Sequence, residues 1–83
     1  MDLVKLTEFI FNDLVKDKNE LSIKQTISDD KTIYLEVFLS NSDLEQINTD
    51  KRLIGSIENI IQASAYLNHD KRVSLKLTLA QKS

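Results

Sequence analysis

The chain predicts an α+β domain: a two-layer sandwich of order α-β-β-α-α-β, with three helices on one face of a three-stranded sheet. Three observations lead there. Residues 3–15 place apolar side chains at spacings of three and four, as a helix with one dry face requires. Three later segments alternate apolar and polar residues, as strands covered on a single side do. Between the second and third of these, Ser42–Leu67 reads as a short helix, the polar turn Asn48-Thr49-Asp50-Lys51 and a longer amphipathic helix.

The first helix starts behind Asp2, whose carboxylate suits an N-cap. Leu3, Leu6, Ile10 and Leu14 form its apolar stripe, flanked by Val4, Phe11 and Val15, with Lys5, Glu8, Asn12 and Lys16 opposite. Phe9 falls off the stripe and is either a partly exposed aromatic or a contact for a partner. Asp17-Lys18-Asn19 ends the helix. Leu21, Ile23 and Ile27 then alternate with Ser22, Lys24 and Thr26 in the first strand. Ser28-Asp29-Asp30-Lys31 is a turn of hairpin length. In the second strand Ile33, Leu35, Val37 and Leu39 alternate with Thr32, Tyr34, Glu36 and Phe38.

In the long helix Leu53, Ile54, Ile57, Ile60 and Ile61 are expected to face inward, extended by Ala65 and Leu67, while Glu58, Asn59 and Gln62 face out. Gly55 inside this helix costs up to about 1 kcal/mol relative to alanine. It is there for close packing, for a ligand's approach, or as a tolerated interior glycine. Asn68-His69-Asp70-Lys71 closes the helix. Val73, Leu75, Leu77 and Leu79 then alternate with Arg72, Ser74, Lys76 and Thr78 in the last strand.

The 83 residues make one domain. A chain this short buries only about 60% of its unfolded surface, so modest stability is expected. There is no cysteine, hence no disulfide and no thiolate chemistry, which suits a reducing compartment. Neither an apolar run of the roughly 18–20 residues that span a membrane nor a signal peptide's basic start is present, and a cytosolic protein is expected. The 11 basic and 13 acidic residues leave a net charge of −2, which argues against strong nonspecific binding of nucleic acid.

The string Ile47-Asn48-Thr49-Asp50-Lys51-Arg52, followed by Ile57-Glu58-Asn59-Ile60-Ile61, resembles the helix–turn–helix of small single-domain bacterial KH proteins of the KhpA type. In that family the region reads approximately V-I-G-x-x-G-R, then A-I-R-T-L. Ile47, Arg52 and the apolar spacing match, and Lys71-Arg72-Val73 fits the start of the family's last strand. The likeness spans nearly the whole chain. It implies a type II KH fold, single-stranded RNA as ligand, self-association, and pairing with a second, larger RNA-binding protein.

Both glycines of the G-x-x-G loop are replaced, by Asn48 and Lys51. Glycines there let the protein backbone press against the nucleic-acid backbone, with N–H groups facing phosphate. Asn tolerates φ > 0, which would let Asn48 keep the turn's shape. Lys51 adds bulk and a positive charge, and Asp50 puts a carboxylate where a phosphate would lie. The resemblance therefore implies RNA binding that is weak or partner-dependent, through Ile47, Asn48, Thr49, Lys51, Arg52 and Ile54. The alternative is a protein-interaction module that has lost RNA binding.

Lys51 and Arg52 read either as a phosphate clamp or as solvated turn charges. Lys24, Arg72 and Lys76 read as a basic strip interrupted by Glu36, or as surface decoration. Tyr34 and Phe38 share a strand face that the helices should leave open. With Phe9 they are candidates for a protein interface, and base stacking is the other reading. His69 has no second histidine or cysteine with which to share a metal. Asp29 and Asp30 look structural, because catalytic carboxylate pairs face each other across a cleft. No nucleophile–base pair, Walker loop or dinucleotide fingerprint is present, so neither catalysis nor a cofactor, metal or small-molecule substrate is expected. A DNA-reading helix would present basic as well as amide groups; the outward positions here, Glu58, Asn59 and Gln62, carry no basic group, and three strands surround the helix pair, so that motif is not expected.

Overall fold

The computed structural model describes residues 2–28, 31–68 and 74–82. Among them run α1 (Leu3–Leu14), a 3-10 turn (Lys18–Glu20), β1 (Ser22–Ile27), β2 (Thr32–Leu39), α2 (Asn41–Asn48), α3 (Lys51–Asn68) and β3 (Ser74–Gln81). The strands lie in the order β1-β2-β3. β1 runs antiparallel to β2, and β3 runs parallel to it, so the sheet is mixed. A parallel return needs a crossover, and α2 and α3 supply it. The expected α+β class and element order are present. The expectations for Asp29, Asp30, His69, Asp70, Lys71, Arg72 and Val73 fall outside the described residues.

Polar side chains close the ends of α1. The Asp2 carboxylate accepts from the N–H groups of Val4 (2.9 Å) and Lys5 (3.4 Å). At the other end Lys18 Nζ donates to the carbonyls of Asn12 and Val15, where a cation also meets the negative end of the helix dipole. The β1–β2 hairpin closes with Ser28 N–H donating to the Thr32 carbonyl (2.9 Å) and Lys31 N–H to the Ser28 carbonyl (3.1 Å). Lys31 takes φ 65, the left-handed conformation that ends short loops of this kind.

β2 is the central strand. Its odd-numbered side chains Ile33, Leu35, Val37 and Leu39 are buried against Leu3, Phe11 and Val15 of the α1 segment, Ile47 of α2, Ile57, Ile61 and Ala65 of α3, and Leu75 of β3. Thr7 is buried among the apolar residues because its hydroxyl donates to the Leu3 carbonyl at 2.7 Å. The even-numbered residues of β2 share the other face. Thr32 is buried there, while Tyr34 is exposed and Glu36 and Phe38 half-buried.

Four expected inward positions differ. Leu14 of α1, Ile27 at the open edge of the sheet in β1, and Ile60 and Leu67 of α3 are exposed, Leu67 by 80%. The buried row of α1 is Leu3, Thr7 and Phe11, an i, i+4 ridge that runs on to Val15 and leaves Leu14 beside it in solvent. In α3 the buried row is Ile57, Ile61 and Ala65, and its flank toward β3 is polar. Gln62 accepts from Leu75 N–H (2.8 Å) and Glu58 from Leu77 N–H (3.1 Å). Those two side chains, expected to face out, instead cover the backbone of an edge strand. The helix is thereby rotated, and Ile60 and Leu67 swing away from the core.

Candidate nucleic-acid interface

The turn between α2 and α3 starts from a well-anchored helix. Ser40 caps α2: its hydroxyl accepts from Asp43 N–H at 3.2 Å and donates to the Asp43 carboxylate at 3.0 Å. Asp43 is only 2% exposed, and its two oxygens also accept from the N–H groups of Lys16 and Asp17, each at 3.0 Å. One carboxylate thus ties the segment after α1 to the start of α2. The backbone N–H groups of Lys16 and then Asp17 hold its pKa below the ordinary carboxylate value. The Ser40 hydroxyl and the Lys16 charge add to this, against the opposing effect of burial. Sequence reading passed over Asp43, although Ser40-Asn41-Ser42-Asp43 carries the spacing of a capping box.

At the far end of α2 the chain turns without a left-handed residue. Thr49 is helical (φ −72, ψ −17), and its hydroxyl donates to the Gln46 carbonyl at 2.7 Å. Asp50 N–H donates to the Ile47 carbonyl at 3.0 Å. Among the described residues Lys31 alone has positive φ, so Asn48 does not stand in for a glycine by its backbone. The turn's shape comes instead from Thr49 and Asp50. The Asp50 carboxylate accepts from Leu53 N–H at 3.1 Å and so caps α3. The N–H groups of Lys51 and Arg52 lie in the same first turn, where helices have no internal acceptors to offer.

Of the residues expected to contact RNA, Asn48, Thr49, Lys51 and Arg52 are exposed, Ile54 is half-buried and Ile47 is buried in the core. Ile47 therefore anchors the turn from below. Gly55 and Ser56 follow on the exposed side of α3, one turn beyond Lys51 and Arg52. A Cβ built on Gly55 meets nothing within 4 Å, so no packing requires a glycine there. The exposed surface thus joins two cations, two open helix N–H groups, one carboxylate and a bare stretch of helix. Chemically it can hold an anion at the cations, with Asp50 opposing it.

The open sheet face is a second candidate surface. The register places Tyr34 between Thr26 and Lys76, Glu36 between Lys24 and Thr78, and Phe38 between Ser22 and Ala80. Glu36 therefore stands directly beside Lys24, and a continuous basic strip does not form there. Tyr34 and Phe38 share this face, with Phe38 half-buried. Phe9 lies apart on α1 and is 71% exposed. Among the described residues there is no pocket and no cluster of three or more metal-ligating side chains, and no helix is long and apolar enough to cross a membrane. No family model, curated protein or solved structure matches the chain.

Proposed function

We propose that this protein is a non-enzymatic, KH-like RNA-binding protein that takes single-stranded RNA weakly or together with a partner. The observation that carries this reading is the exposed α2–α3 turn, where Lys51 and Arg52 adjoin the bare helix at Gly55 within an α-β-β-α-α-β element order. Two cations and open helix N–H groups recognise a phosphodiester, and a residue without a side chain lets a polymer backbone lie close. Asp50 opposes the phosphate and no glycine shapes the loop, hence the low affinity. Labelled short RNAs titrated at low and moderate salt test it. Binding at low salt that weakens with salt and on Lys51→Ala or Arg52→Ala is the expected result. No affinity at low salt, or indifference to both substitutions, overturns it.

A second reading, a protein-interaction module that self-associates or pairs with a larger RNA-binding protein, is favoured by the apolar side chains left in solvent. Phe9, Leu14, Ile27, Tyr34, Ile60, Tyr66 and Leu67 are all exposed. Light scattering and pull-downs test it. A strict monomer that captures nothing removes it.

A further inference from the structure

The two edges of the sheet are finished differently. On β3 the N–H groups of Leu75 and Leu77 point away from β2 and end on Gln62 and Glu58 of α3. That edge is covered, which is one way proteins keep a strand from recruiting another. On β1 the bond from Ser28 N–H to the Thr32 carbonyl sets the alternation of the ladder. Ser22, Lys24 and Thr26 therefore turn their backbone groups toward β2, and Ile23, Gln25 and Ile27 turn theirs outward. Lys24 through Ile27 are exposed, and Ile27, 61% exposed, is an apolar residue at the open edge. The described residues of β1 include neither a proline nor a bulge, and Lys24 is the one charged guard on this edge.

We propose that a second copy of this chain occupies this edge, β1 pairing antiparallel with the partner's β1 about a two-fold axis at Gln25. The proposal deepens the self-association reading above by naming the surface, and it is independent of RNA binding. Its basis is the self-complementarity of the strand. Centring the axis on Gln25 sets Ile23 against the partner's Ile27 on both sides of the axis. The two Gln25 amides meet in the middle, each with a donor and an acceptor. Paired residues point to one face, so these contacts form on the helix side of the sheet. On the open face Lys24, the strand's one charged residue, stands opposite the partner's Thr26, and no like charges face each other. An isologous contact of this kind closes after two copies. The head-to-tail alternative, β1 on the partner's β3, does not close after two copies, and Gln62 and Glu58 already occupy the β3 edge.

Sedimentation equilibrium from micromolar to millimolar concentration, with amide exchange on the same samples, tests the proposal. The expected result is a monomer–dimer equilibrium in which the amides of Ile23, Gln25 and Ile27 gain protection as concentration rises. Gln25→Lys and Gln25→Glu, at an exposed position, leave the circular dichroism spectrum unchanged. Each puts like charges across the axis and weakens self-association about fivefold, and an equimolar mixture of the two variants restores pairing. A dimer indifferent to both variants overturns the assigned edge while leaving the self-association reading standing. A monomer at every concentration overturns both, although a larger partner captured in a pull-down would still sustain the interaction module. Association that grows without a plateau overturns the closed, isologous arrangement.

Discussion

Asp43 and Asp50 are carboxylates at the starts of successive helices, and the structure puts them to unequal use. Asp43 is buried and collects the N–H groups of Lys16 and Asp17 together with the Ser40 hydroxyl, joining segments far apart in sequence. Asp50 is exposed and collects the N–H of Leu53. The residue type and local position are nearly the same. What differs is whether water can replace the carboxylate, and how many distant groups lose their partner when it goes. One end of α2 is therefore a structural clasp, and the other is a surface free to change.

Replacing the clasp should have the largest effect. Asp43→Ala strands the N–H groups of Lys16 and Asp17, and bonds to a charged acceptor are worth about 1.5–3 kcal/mol each. Urea unfolding should show a loss of about 3 kcal/mol, a large share of the stability of so small a domain. A loss under about 1 kcal/mol would mean that water substitutes for the carboxylate, and the contrast with Asp50 would collapse.

Acid should act through the same group. Its folded pKa lies below the ordinary value, so the unfolded chain takes up the proton first as pH falls. The stability Asp43 contributes is complete above about pH 5 and declines as pH drops through the ordinary carboxylate value near 3.9 toward the folded one. Unfolding free energy measured from pH 6 to pH 3 (roughly the window in which a carboxylate titrates) should fall less steeply for Asp43→Asn than for the native chain. Equal slopes would remove Asp43 from the acid response.

The exposed cap should matter less. Asp50→Ala is expected to cost about 1 kcal/mol or less, the range of an N-cap. Because it also removes the negative charge beside Lys51 and Arg52, RNA affinity at low salt should rise while stability falls. Opposite movement of the two readouts would separate a binding surface from a purely structural turn.

Gly55→Ala gives the smallest change and the opposite sign. The open space around Gly55 admits a methyl group, so the helix should gain up to about 1 kcal/mol in thermal or urea unfolding. Weaker RNA binding by this more stable variant would place the ligand's path across Gly55. Unaltered binding would confine contact to the turn.

Much of the fold was legible because it rests on periodicity. Alternation in Thr32–Leu39 and Ser74–Gln81 is a property of any strand with one wet side, and the register keeps each expected face intact. Asp2 as a cap, the polar hairpin and the turn before Lys51 were equally local. The candidate site was legible in part. Exposure of Asn48, Thr49, Lys51 and Arg52 agrees with their polar character, whereas Ile47 lies beneath the turn and Asn48 keeps a helical backbone.

The chain's own order of residues determined which segments coil, which extend, and which side of each is greasy, because those properties depend on neighbours within a few positions. Tertiary structure alone decided the rotation of α3, the clasp at Asp43 and the difference between the two sheet edges. Glu58 and Gln62 look like solvent-facing residues until β3 lies alongside with unpaired N–H groups, and Ile60 looks like core until those two claim the inner flank. A polar side chain goes where a distant backbone donor needs an acceptor, and no local pattern records where that donor will be.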